Sequence, residues 1–139
     1  MFASRLQYYG RDSETNRYAK IWKIYAREFL GYTNFLEDKL LVNFNKWHED
    51  INYRINLSKR LGLKFTDASR GIVSAIGKGS SFDKMSFQGK AEEMSINDRW
   101  KNWVDDKNYQ NIFKDEEIIE LSKKLYPKVT KLYLKAIEK

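Results

Sequence analysis

KLLVNFNKWHEDINYRINLSKRLGL, residues 39–63, is the stretch on which the fold turns. Leu40, Val42 and Phe44 alternate with Leu41, Asn43 and Asn45, and that period of two predicts a strand over residues 39–45. From His48 the spacing changes. Ile51, Ile55 and Leu61 form the expected inner face of a helix, with Glu49 and Asp50 in its first turn, Lys59 and Arg60 in its last, and Gly62 to stop it. A strand needs partners for its N–H and C=O groups, because such groups are costly to bury unpaired. The rest of the chain offers no convincing one, so either strands are missed, or residues 39–45 pair with a second copy, or they belong to a larger sheet whose N-terminal half is missing.

Outward from this stretch the sequence reads as helices. Toward the N-terminus, FASRLQYY predicts a short helix ending at Gly10, and Arg11 to Asn16 is polar and turn-like. A longer helix is expected from about Ser13 to Leu30, with Tyr18, Ile21, Trp22, Tyr25 and Phe29 facing inward and Gly31 at its end. Toward the C-terminus the pattern dissolves between Lys64 and Lys90, around a Gly/Ser-rich stretch at Ser69–Phe82. A short helix is expected over Ser95–Trp103, another over Asp115–Tyr126, and a last one from Pro127 to about Ile137, since proline suits a first helical turn. The 139 residues amount to a single domain, mainly α with one or very few strands.

Composition narrows the function. The chain is 42% hydrophobic and 32% charged, and its mean hydropathy is −0.71. No run approaches the roughly 18 apolar residues of a membrane span, and the expected setting is the cytoplasm. The absence of cysteine removes disulfides and thiolate metal sites. Residues 121–139 hold six lysines against one acid, while the other 120 residues hold 20 basic and 18 acidic side chains. The formal charge of +7 is thus concentrated in the tail. A nucleic-acid footprint more often spreads along a working face, which speaks against that partner.

AIGKGSSFDKM, residues 75–85, is either a phosphate cradle or a connector. It is not a Walker loop: five residues rather than four separate Gly71 from Gly77, and Gly79 stands where Ser or Thr should follow Lys78. GSSFDKM resembles, however, the Ser/Thr-Ser-Phe-x-x-Met stretch of sulfotransferases that use 3′-phosphoadenosine 5′-phosphosulfate. FASRLQYY is similar to that family's helix carrying a serine for the 3′-phosphate, with Ser4 at the serine position. KLLVNFNKWHEDINYRINLSKRLGL resembles a strand–loop–helix closing in Leu61-Gly62, with Asn43-Phe44-Asn45 in place of Tyr-Glu-Asp. DRWKNW, residues 98–103, resembles the basic-then-tryptophan region near the end of these enzymes.

The resemblance spans Phe2 to Lys128 and implies a fragment of an α/β three-layer, P-loop NTPase-like fold. It implies 3′-phosphoadenosine 5′-phosphosulfate as cofactor, held by Ser4, Lys78, Gly79, Ser80, Ser81, Phe82 and Arg99, with no metal. The family's phosphosulfate loop and catalytic base have no counterpart in this sequence, so the implied segment is inactive alone.

Each residue also has a plainer reading. Ser4 fits an ordinary helical serine, the Gly/Ser stretch a connector, and Arg99 with Lys101 a solvated pair. Trp22, Trp47, Trp100 and Trp103 fit core positions. His48, the only histidine, cannot alone build a His-rich metal site. Lys124, Lys128, Lys131 and Lys135 share one helical face opposite Leu125, Val129, Leu132 and Ala136, which fits a solvated surface over a core stripe. The alternative function is a non-enzymatic helical module that binds protein or nucleic acid through this basic C-terminal helix.

Overall fold

A computed structural model of the chain describes residues 2–9, 15–76, 79–80 and 82–138. Helix makes up 58% of it, and no sheet exists among the described residues. The expected three-layer α/β arrangement is therefore corrected to a mainly helical one. The only strand-like pairing described is an isolated bridge between Ser80 and Lys84.

The chain forms two compact units, residues 1–39 with 97–139, and residues 40–96. In the first lie α1 (Phe2–Tyr9), α2 (Thr15–Phe29), α5 (Lys107–Ile112), α6 (Glu116–Leu125) and α7 (Pro127–Ile137). The second holds α3 (Phe44–Glu49) and α4 (Ile51–Arg60). Tight 3-10 turns cover Ala91–Glu93 and Ile96–Trp103, the latter where a short helix was expected. The expected stop at Gly10 lies outside the described residues.

The predicted strand fails at Asn43. Residues 40–43 are irregular, and the Asn43 side chain accepts from Lys46 N–H as the N-cap of α3. Phe44 and Trp47 then lie three residues apart on one helical face and stack, with ring centroids 5.9 Å apart. A period of two over six residues was outweighed by a cap and one helical turn. Without a strand at 40–45, the reason to expect a pairing chain disappears.

Asp50 ends α3 and begins α4. Its N–H donates to Lys46 O, while its carboxylate accepts from Asn52 and Tyr53 N–H. The inner face of α4 is not the expected one. Ile51 and Leu61 are exposed, and Arg54, at 4% exposed, is the buried residue. Its guanidinium pairs with both Asp67 carboxylate oxygens at 2.7–3.2 Å. The same group donates to Trp47 O at 2.8 Å and His48 O at 3.3 Å. A cation at the C-terminal carbonyls of α3 is well placed against the helix dipole, and a buried charge is tolerated only when paired in this way.

The first unit is built on rings. Trp22, Phe2, Phe113 and Tyr133 follow one another at centroid distances of 5.6, 6.1 and 4.3 Å, and Trp100 and Tyr109 meet Tyr133 edge-on. Such tilted and T-shaped pairs suit the quadrupole of aromatic rings. Ile118 of α6, whose N-cap is Asp115, is fully buried. Lys23 of α2 pairs with Asp115 and Glu117, and Arg27 with Glu117. These pairs advance together along both helices, so α2 and α6 run parallel. They also turn the expected face of α2: Ala19 and Ala26 are buried, and Tyr25 is 70% exposed.

Candidate functional site

Sequence reasoning placed the site at Ser4, Arg99 and residues 78–82. Ser4 is an exposed residue of α1, and Arg99 is half-buried in the 3-10 turn of the same unit. Lys78 and Ser81 lie outside the described residues. Gly79, Ser80 and Phe82 belong to the second unit and share one turn.

That turn is organised inward. Gly79 has φ +78°, and a Cβ there would sit 2.0 Å from Lys84 O and 3.1 Å from Val73 Cγ1. Glycine is needed to close the turn on its own backbone, not to admit a phosphate. The Ser80 hydroxyl accepts from Phe82 N–H at 3.2 Å and from Asp83 N–H at 2.8 Å, and it lies 3.0 Å from Asp83 Oδ2. A carboxylate against the intended phosphate donor repels an anion. The near-total absence of the sheet that the sulfotransferase fold requires conflicts with the nucleotide-binding reading, and this turn offers it no support.

His48 offers no better centre. It is half-buried, and burial together with nearby Arg70 holds its imidazole below the usual value. Its backbone carbonyl accepts from Arg70 Nη2 at 2.8 Å and from Arg54 Nη1 at 3.3 Å, so two cations stand beside the residue. No group of three or more potential His, Cys, Asp or Glu metal ligands occurs among the described residues.

A different surface emerges in the first unit. The buried Glu28 carboxylate accepts from Thr33 Oγ1 at 2.6 Å, Phe35 N–H at 3.0 Å, Leu36 N–H at 3.2 Å and Lys39 Nζ. Lys39 and Thr33, with the two backbone donors, bring its pKa down to about 2. One carboxylate thereby fixes the segment after α2. That segment presents Tyr32, Phe35 and Leu36 at 54%, 72% and 61% exposed. Lys124, near the end of α6, meets the Tyr32 hydroxyl at the edge of the ring, 4.9 Å from the ring centroid.

Beyond the break at Tyr126, α7 carries Lys128, Lys131 and Lys135 on its exposed side. The break separates Lys124 from the continuous stripe that the sequence predicted. The inner face also differs: Thr130 and Tyr133 are buried, whereas Leu132, expected over the core, is 47% exposed among the lysines. Lys123, Lys128, Lys131 and Lys135 have no carboxylate within ion-pair distance among the described residues. Lys23, Arg27, Lys39, Lys101 and Arg54 each have one.

Trp47, expected in the core, is 36% exposed, while Trp22, Trp100 and Trp103 are half-buried. Sequence reasoning missed the Tyr32–Lys124 pair and the bracing role of Glu28, because both depend on contacts that no local pattern announces. No family model, curated protein or solved structure matches this chain. No helix among the described residues is long and apolar enough to cross a membrane.

Proposed function

We propose that the protein is a non-enzymatic helical module that binds the phosphate backbone of nucleic acid through the lysines of α6 and α7. One observation supports this: Lys123, Lys124, Lys128, Lys131 and Lys135 are all exposed on α6 and α7, and none of them has a carboxylate at ion-pair distance among the described residues. Lys128, Lys131 and Lys135 rise along α7 in steps of about 4.5 and 6 Å, close enough to engage successive phosphates. Charge confined to a tail speaks against nucleic acid only if the tail is loose. Here it is two helices with their inner faces packed. The proposed setting is the cytoplasm.

The test is binding of a labelled duplex at low salt, followed as salt is raised. Binding that weakens with salt is expected, and Lys128→Glu/Lys131→Glu/Lys135→Glu should flatten the log–log slope by about 0.9 per lysine engaged. Absence of binding at low salt overturns the proposal. The sulfotransferase likeness rests on the order of its motifs along the sequence. Millimolar adenosine 3′,5′-bisphosphate giving heat that Ser80→Ala/Phe82→Ala abolishes would favour that reading over this one.

A further inference from the structure

We infer that the nucleic acid taken by this surface is single-stranded, with Tyr32 serving as a stacking platform for one base. The inference rests on the nucleic-acid reading above and goes beyond it, since lysines alone would serve a duplex equally well. Tyr32 is 54% exposed, and the ammonium of Lys124 meets it at the hydroxyl edge of the ring. A cation at the edge does not cover the faces on which a base would stack, and every base has a flat face to offer.

The ring is held for this role. Lys124 meets its hydroxyl, and the backbone that follows it is hung on the Glu28 carboxylate. Phe35, three residues on and 72% exposed, is a second aromatic face on the same braced segment. Exposed rings on mobile chain are unremarkable, but rings on a segment ordered by a buried carboxylate are already fixed before a ligand arrives, which reduces the ordering cost of binding.

The charges needed for the backbone stand close by. Four residues separate Lys124 from Lys128, so their Cα atoms cannot be more than about 14 Å apart. A strand stacked on Tyr32 therefore reaches the α7 lysines within a few nucleotides, inside the roughly 4–16 nucleotides of a typical single-strand site. A duplex keeps its bases stacked on one another and has none to offer the ring. An anionic membrane has charge but no base.

The experiment compares fluorescence anisotropy of a labelled thymidine oligonucleotide, a duplex of equal length and phosphatidylserine vesicles on the full chain. The single strand is expected to bind more tightly than the duplex. Tyr32→Ala should weaken single-strand binding about tenfold or more, leave duplex binding unchanged and keep the helical circular dichroism, because the side chain is exposed. Tyr32→Phe should retain most of the affinity. If Tyr32→Ala leaves the single strand unaffected while the triple lysine variant weakens both polymers, the stacking platform is wrong and the backbone-binding module stands. If neither polymer binds, both proposals fall. Vesicles bound as tightly as the oligonucleotide would overturn the inference in favour of an anionic surface.

Discussion

In the unit formed by residues 1–39 and 97–139, the most deeply buried described side chain is Ile118, an apolar one. In residues 40–96 it is Arg54, a charged one. Among the second unit's described hydrophobic residues only Val73 is buried, while Phe44, Ile51, Leu61, Leu63, Ile72 and Ile76 are exposed. The first unit gains stability by removing apolar surface from water, about 25 cal/mol for each Å². The second depends on the satisfaction of polar groups around one guanidinium. The two modes fail differently. A core loses a little with each methyl removed, whereas a polar hub loses much at once, since its former partners are left buried and unpaired.

The sharpest way to break this contrast is Arg54→Met. It deprives Asp67 and Trp47 O of their donor and leaves His48 O with Arg70 alone, and each buried acceptor left unsatisfied costs about 1–3 kcal/mol. Hydrogen exchange should show amides of residues 40–96 losing protection while those of α2 and α6 keep theirs. Equal loss in both regions would show that the units do not open separately. Ile118→Val is the counterpart in the ring-built unit, expected to cost about 0.5–1.5 kcal/mol by thermal or denaturant unfolding. If it costs as much as Arg54→Met, the difference between hub and core vanishes.

Acid sharpens the comparison further. His48 has a folded-state pKa below its ordinary value of 6.5, so the unfolded chain takes up a proton first. Stability of residues 40–96 is therefore intact above that value and declines as pH falls from 6.5 toward the lower folded pKa. His48→Gln should remove this slope from exchange rates in that region. The Glu28 segment behaves otherwise. Its contribution is complete above 4.5 and is lost only as pH falls toward about 2, so the Phe35 and Leu36 amide shifts should hold steady through the His48 range. The smallest effect belongs to Tyr133→Phe. Burial raises this phenol to about 12, and its hydroxyl has no hydrogen-bond partner among the described residues. Removing it should leave unfolding free energy within about 0.5 kcal/mol or raise it slightly; a loss above about 1 kcal/mol would reveal a bound partner.

Local chemistry explains which parts of this architecture were legible beforehand. α2, α6 and α7 follow from 3–4 spacing, and α7 from Pro127 at its first position. The six residues of α5 escaped notice, although Asp106 caps them by accepting from Asn108 and Tyr109 N–H. A helix of under two turns leaves little periodicity to read. α3 was mistaken for a strand for the same reason. Faces proved harder than elements. Tyr25 and Ile51 are exposed because the contact sides of α2 and α4 carry Lys23, Arg27 and Arg54, whose partners lie far off in sequence or across a loop. The lysine-rich tail was visible as composition. Tyr32 was not, since nothing near it in sequence indicates Lys124, 92 residues away.

Asp50 also has a bearing on how the length of this chain can vary. One residue closes α3 and opens α4, leaving no slack between them. A single codon inserted there would rotate α4 by about 100° and swing Arg54 away from the carbonyls it holds. The exposed connector around Lys64 and Thr66 has no such double duty. Gene-length variation among descendants of this sequence should therefore collect after Gly62 and avoid the joint at Asp50.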